Sequence, residues 1–105
     1  MELAQYEGTI EILRMWANCL PVFNVGFQPY SHGAANGASS YRSFREMRHL
    51  KVFLAALGIR KGVISQALER LARGISTSIP NVTLSEKVLR DQGLDSTVSL
   101  KRRTA

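Results

Sequence analysis

One glycine does most to constrain what this chain can fold into. Gly58 separates two runs in which apolar residues recur at three- and four-residue steps, the spacing of one face of an α-helix. Before it stand Phe44, Met47, Leu50, Leu54 and Leu57; after it come Ile59, Ile64 and Leu68. Glycine tolerates the left-handed backbone that a tight inter-helix turn demands, and Gly74 stops the second run where a C-terminal glycine is expected. The pattern predicts a helix-turn-helix over residues 43–74, centred on Phe53 to Leu71, its two helices locked together by Leu54, Leu57, Ile59, Ile64 and Leu68.

The flanking segments read as follows. In residues 2–20, Leu3, Tyr6, Ile10, Leu13, Trp16 (or Ala17) and Leu20 form a stripe at helical spacing, with Glu2, Glu7 and Glu11 toward the positive end of the helix dipole and Pro21 as the stop. This predicts an N-terminal amphipathic helix that packs on the core, a second copy or a partner. Residues 22–42 read as an irregular loop: Val22, Phe23, Val25 and Phe27 favour a short strand, but Gly26 and Pro29 weaken it, and Ser31 to Ser40 is rich in Gly, Ala and Ser. Residues 75–105 give a short helix from Leu84 to Gln92, opened by a capping box at Thr83-Leu84-Ser85-Glu86 and closed by Gly93, then a basic tail. The sum is a small, single-domain, mainly α protein with a central helix-turn-helix and a Gly-rich loop.

Charge adds the functional direction. Residues 1–41 hold one cation, Arg14, against three carboxylates, whereas residues 42–105 hold 13 Lys or Arg against five Asp or Glu. A basic half attracts polyanions, because neutralised phosphates release condensed counterions. Enzyme chemistry finds no constellation: His32 falls in the loop, His49 in a basic helix, and neither is spaced to pair with Cys19, which reads as a buried small hydrophobe. Clustered metal ligands are absent and no cofactor is expected. The single cysteine, the acidic N-terminus and the lack of a long apolar run predict a cytoplasmic protein that does not cross a membrane.

The second helix carries the chemistry of a DNA reader. Arg60 and Lys61 stand at its start, where guanine edges or phosphates are met; Gln66 suits adenine, Ser65 a base or a phosphate, and Glu69 completes the base-reading set. Gly62 lets the backbone approach the sugar-phosphate chain, while Arg70 and Arg73 lie further along and suit phosphates. Arg42, Arg45 and Arg48, with Lys101, Arg102 and Arg103 in the tail, supply further phosphate contacts. Leu57-Gly58-Ile59-Arg60-Lys61-Gly62-Val63-Ile64-Ser65-Gln66-Ala67 resembles the helix-turn-helix of KorA/TrfB-type plasmid transcriptional repressors, through its Leu-Gly, Lys-Gly and Ser-Gln-Ala steps. The likeness covers about 19 residues, 53–71, and implies a homodimer on double-stranded, palindromic DNA, with Gln66 and its neighbours reading bases.

Three other readings fit the same residues. A helix-Gly-helix segment can be a packing hairpin and nothing more. The chain can be a phage, plasmid or viral accessory protein that docks a protein partner through Leu3, Tyr6, Ile10, Leu13 and Trp16. It can also bind duplex RNA through its arginines; the aromatics do not interleave with Lys and Arg as single-strand stacking platforms do.

Overall fold

The structure, a computed structural model, describes residues 5–30 and 42–94. It corrects the expected fold class. The elements are β1 (Gln5–Ala17), β2 (Leu20–Pro29), β3 (Arg42–Phe44), α1 (Met47–Ala56), α2 (Lys61–Ala72), β4 (Thr77–Ser85) and α3 (Glu86–Asp91). The strands form one antiparallel sheet in the order β3-β2-β1-β4. The chain is therefore an α+β protein of two layers, a sheet with helices packed on one face, and not a mainly α one.

The expected N-terminal helix is the first half of a long hairpin. Tyr6, Ile10 and Leu13 do fall at helical spacing, but Tyr6, Gly8, Ile10 and Ile12 fall at spacing two, and all four are buried. Ile12, absent from the helical stripe, is fully buried, whereas Trp16 and Leu20, which belong to that stripe, are exposed. Pro21 stops no helix; it lies inside β2, opposite Trp16. Much of the segment read as a loop is β2, where Phe23, Val25 and Phe27 supply the same alternating face and Gly26 stands on the other. The rest of the Gly-rich stretch lies outside the described residues, apart from the short β3 at its end. A fourth strand, β4, occupies the segment given only as a lead-in to the last helix.

The hairpin turn is Asn18-Cys19, both at positive φ (54° and 65°), the type I′ geometry whose twist matches paired strands. Cys19 is exposed at this tip, not buried. Near the other end, β1 and β2 approach so closely at Gly8 that a Cβ there would overlap the backbone carbonyl of Gln28 and sit 2.8 Å from the Cα of Pro29. On the far side of β1, Pro80 and Asn81 both stand against Thr9, a bulge in β4 with Asn81 at φ 60°. The Asn81 N–H donates to the Tyr30 hydroxyl at 3.0 Å, so Tyr30, just past β2, braces the bulge across β1.

The core joins the layers. Ile10, Ile12, Val25, Phe27 and Leu84 from the sheet meet Leu50 and Leu54 of α1, Ile64 and Leu71 of α2, and Leu89 of α3. Burying each of these side chains is worth about 1.5–3 kcal/mol before chain entropy is counted. Each helix ends in a Schellman turn on a glycine. Gly58 N–H donates to Ala55 and Ile59 N–H to Leu54; the same pair of bonds recurs at Gly74 and at Gly93. The last helix starts two residues later than expected: its cap is Ser85, whose hydroxyl accepts from Val88 N–H, and Thr83 belongs to β4.

Two substitutions probe the hairpin. Gly8→Ala forces β1 and β2 apart and lowers the unfolding free energy in urea by about 2–3 kcal/mol. Cys19→Gly relieves a left-handed side-chain residue and raises it by about 1 kcal/mol; a decrease on the same titration would mean that Cys19 makes a stabilising contact at the turn.

Candidate nucleic-acid interface

Two helices without N-terminal side-chain caps meet at the turn that the sequence marks. α1 ends at Ala56, Gly58 takes φ 87°, and α2 begins at Lys61, so the connection is Leu57-Gly58-Ile59-Arg60. Nothing lies within 4 Å of a Cβ placed on Gly58, so the glycine is there for its backbone angle and not for space. Ile59 and Val63 pack beside the core, and Leu57, Ile64, Ala67 and Leu71 are in it. With that side of α2 fixed inward, the opposite side must face outward.

Four of the five expected base-reading side chains are on that outer side, and Arg60 stands at the N-cap just before it. Arg60, Lys61, Ser65, Gln66 and Glu69 are exposed, as are Gly62, Arg70 and Arg73. Glu69 is not a free carboxylate, since one of its oxygens accepts from the Arg73 guanidinium at 3.1 Å, an i,i+4 pair. Both partners are largely solvated, so the pair is worth little and opens readily to an incoming group. Gln66 and Arg70 also border a surface cleft of about 460 Å³ between α2 and Thr77 to Pro80 of β4.

The start of α2 is electropositive by construction. Arg60 in the N-cap position offers no side-chain acceptor, and the first turn holds no Asp or Glu. The helix therefore presents its uncompensated N–H groups and the positive end of its dipole beside two cations. α3 shows the contrasting arrangement, with Ser85 as cap and Glu86 in its first turn.

The cations from β3 through α1 divide. Arg45 and Arg48 are exposed, Arg48 paired at 2.6 Å with Glu46. Lys51, exposed three residues beyond Arg48, joins them although the sequence reading left it out; its i,i+3 spacing from Arg48 was the available signal. Arg42 differs from them. Its guanidinium lies 5.4 Å and 5.1 Å from the ring centroids of Phe44 and Phe53 and donates to the Gln92 carbonyl at 3.1 Å. It ties β3 to α1 and to the end of α3 while remaining exposed. Lys101, Arg102 and Arg103 lie outside the described residues. His49 is exposed, and among the described residues no group of three metal-binding side chains occurs and no helix is long and apolar enough to cross a membrane.

The surface proposed for a protein partner does not survive as a helix face. Tyr6 and Ile10 are in the core, Leu13 is half-buried, Leu3 lies outside the described residues, and only Trp16 is freely exposed. Comparisons with protein-family models, characterised proteins and solved structures find no match for this chain.

Arg42→Ala separates the two roles an arginine can have here. It costs about 1 kcal/mol of stability through the lost ring contacts and hydrogen bond, and leaves the salt dependence of any DNA binding unchanged. A flatter salt slope with unchanged stability would instead place Arg42 on a phosphate.

Proposed function

We propose that the chain is a sequence-specific DNA-binding protein of the repressor type, which reads the major groove with the outer side of α2. The observation that carries this reading is the coincidence of three properties on one helix. Its inner side is locked into the core, its start is uncapped and flanked by Arg60 and Lys61, and its outer side carries Ser65, Gln66, Glu69, Arg70 and Arg73 without a buried apolar side chain among them. A helix that only packed would gain about 1 kcal/mol from a Ser or Asp at the cap position held by Arg60. The likeness of the Leu57 to Ala67 stretch to KorA/TrfB-type repressors points the same way.

In this reading the backbone amides of the first turn, with Gly62 leaving room, meet a phosphate and fix the register. Gln66 then bonds an adenine edge in bidentate fashion, with Ser65 beside it and Glu69 available to a cytosine amino group once Arg73 swings to the backbone. Arg45, just before α1, and Arg48 and Lys51 of α1 lie against the flanking phosphates, which adds affinity without specificity. A repressor of this kind acts by occupying its operator in competition with the polymerase.

The test is selection of bound duplexes from a random pool at about 150 mM salt, where loose charge attraction is screened. A recovered motif supports the reading. No enrichment, or a preference for A-form RNA duplexes over DNA, overturns it. On the selected duplex, Gln66→Ala weakens binding by about 1–3 kcal/mol while random DNA is unaffected. Arg73→Ala weakens both and reduces the salt slope by about one. Equal losses for both variants on both sequences would remove Gln66 from base reading.

A further inference from the structure

The end of the β1–β2 hairpin is left over by this account. β4 pairs with β1 only as far as Ile12 opposite Thr77, and β3 reaches β2 only at Phe23 opposite Phe44. Beyond those points the hairpin runs on as a two-stranded ribbon, with Met15 opposite Val22, Trp16 opposite Pro21 and Ala17 opposite Leu20. A bare two-stranded ribbon is marginal in water. This one also exposes apolar side chains on both faces: Trp16 at 65%, Leu20 at 54% and Met15 at 48%. Ile75, 52% exposed just past α2, continues the patch. Its root is held firmly, because the Arg14 N–H donates to Ser76 Oγ at 2.9 Å and the Arg14 guanidinium lies 5.1 Å from the Trp16 ring centroid.

We propose that this ribbon is the seam of a twofold dimer, in which two copies lay their ribbons side by side, the tip of each against the root of the other, so that Trp16 and Ile75 are covered on one face and Met15 and Leu20 on the other. Charge selects a second copy over other occupants. Two chains of formal charge +6 repel wherever cations face each other, and the stretch from Met15 to Phe23 contains no charged residue. A lipid anchor would instead ring its apolar tip with Lys or Arg to hold headgroups; the stretch from Met15 to Phe23 has none, and Arg14 at the root is held against Trp16. The exposed apolar side chains offer on the order of 500 Å² per copy, so two copies bury about 1,000 Å², enough for a specific interface. Contacts made twice by symmetry suit a seam in which the tip of one copy meets the root of the other.

The position of the seam also fits the proposed DNA reading, on which this one consequence rests. α2 starts beside Ile79 to Thr83, which pair with the Gly8 end of β1, and finishes where Gly74 meets Arg14. It therefore runs parallel to β1, with the ribbon extending past its C-terminal end. α2 is about 18 Å long, and the ribbon adds about 15 Å. A twofold axis through the middle of the overlapped ribbons leaves the two α2 centres roughly 33 Å apart, close to one turn of B-DNA.

Sedimentation equilibrium of the free protein, without DNA, tests the seam apart from the DNA reading. The wild type is expected at twice its 11.7 kDa chain mass at tens of micromolar. The emission of Trp16, the one tryptophan, should shift to the blue as concentration rises. Leu20→Lys and Trp16→Ser should each weaken the dimer at least tenfold while far-ultraviolet circular dichroism stays unchanged. If either variant loses its fold, Ile75→Lys, outside the strands, takes its place in the same measurement. A wild type that stays monomeric at 100 µM overturns the proposal, as does a dimer indifferent to these substitutions. A blue shift that appears only when anionic phosphatidylserine vesicles are added to a monomer also overturns it and assigns the ribbon to a lipid surface.

Discussion

The contact between the helical hairpin and the inner face of the sheet is what the rest of the molecule depends on. Leu50 and Leu54 from α1 and Ile64 and Leu71 from α2 have no exposed surface of consequence, and they meet Ile10, Ile12, Val25 and Phe27. Neither layer could persist alone. A pair of helices of 10 and 12 residues is too short to be stable in water by propensity, and a sheet with one apolar face needs a cover. Because this contact fixes the rotation of α2 about its own axis, it also decides which residues of α2 meet solvent. The exposure of Gln66, Glu69 and Arg73 is a consequence of where Ile64, Ala67 and Leu71 must go.

Much of the helical hairpin was legible from residue types because its signals are local. A Schellman turn needs a glycine at one place, and Gly58, Gly74 and Gly93 each stand at theirs. The sheet was not legible, for the opposite reason. β1 is held by partners on β2 and β4, the latter some 70 residues away, and nothing within β1 alone distinguishes its pairing from a helical stripe. Two positions made the confusion worse. Gly8 interrupts the alternating apolar pattern because β2 passes too close for any side chain, and the apolar residues Trp16 and Leu20 continue a helical stripe although no core receives them. The β-branched pair Ile10 and Ile12, two residues apart, was the best available sign of a strand.

The candidate interface divides along the same line. Arg60, Lys61, Ser65 and Gln66 could be assigned to one side of α2 from the helical period, which is an intramolecular ruler. The packing contacts of Arg42 could not, since its neighbours Phe53 and Gln92 come from elements distant in sequence, and its guanidinium links β3, α1 and the end of α3. Counting cations along a chain overstates the surface available to a polyanion wherever a guanidinium is held by aromatic rings.

A division of labour within the fold follows. The sheet half is poor in cations, its hairpin end is neutral, and its strands are long relative to the helices they support; the helical half carries the basic surface. Strand β1 spans both tasks, its first eight residues building the platform under the helices and its last five building the ribbon. A 13-residue strand is more than the platform requires. Extending a strand beyond its lateral partners leaves backbone groups and apolar side chains in water, a cost with no return inside the chain. In an otherwise economical domain, that excess length is best understood as surface made for another molecule, and its lack of charge restricts which molecule that can be.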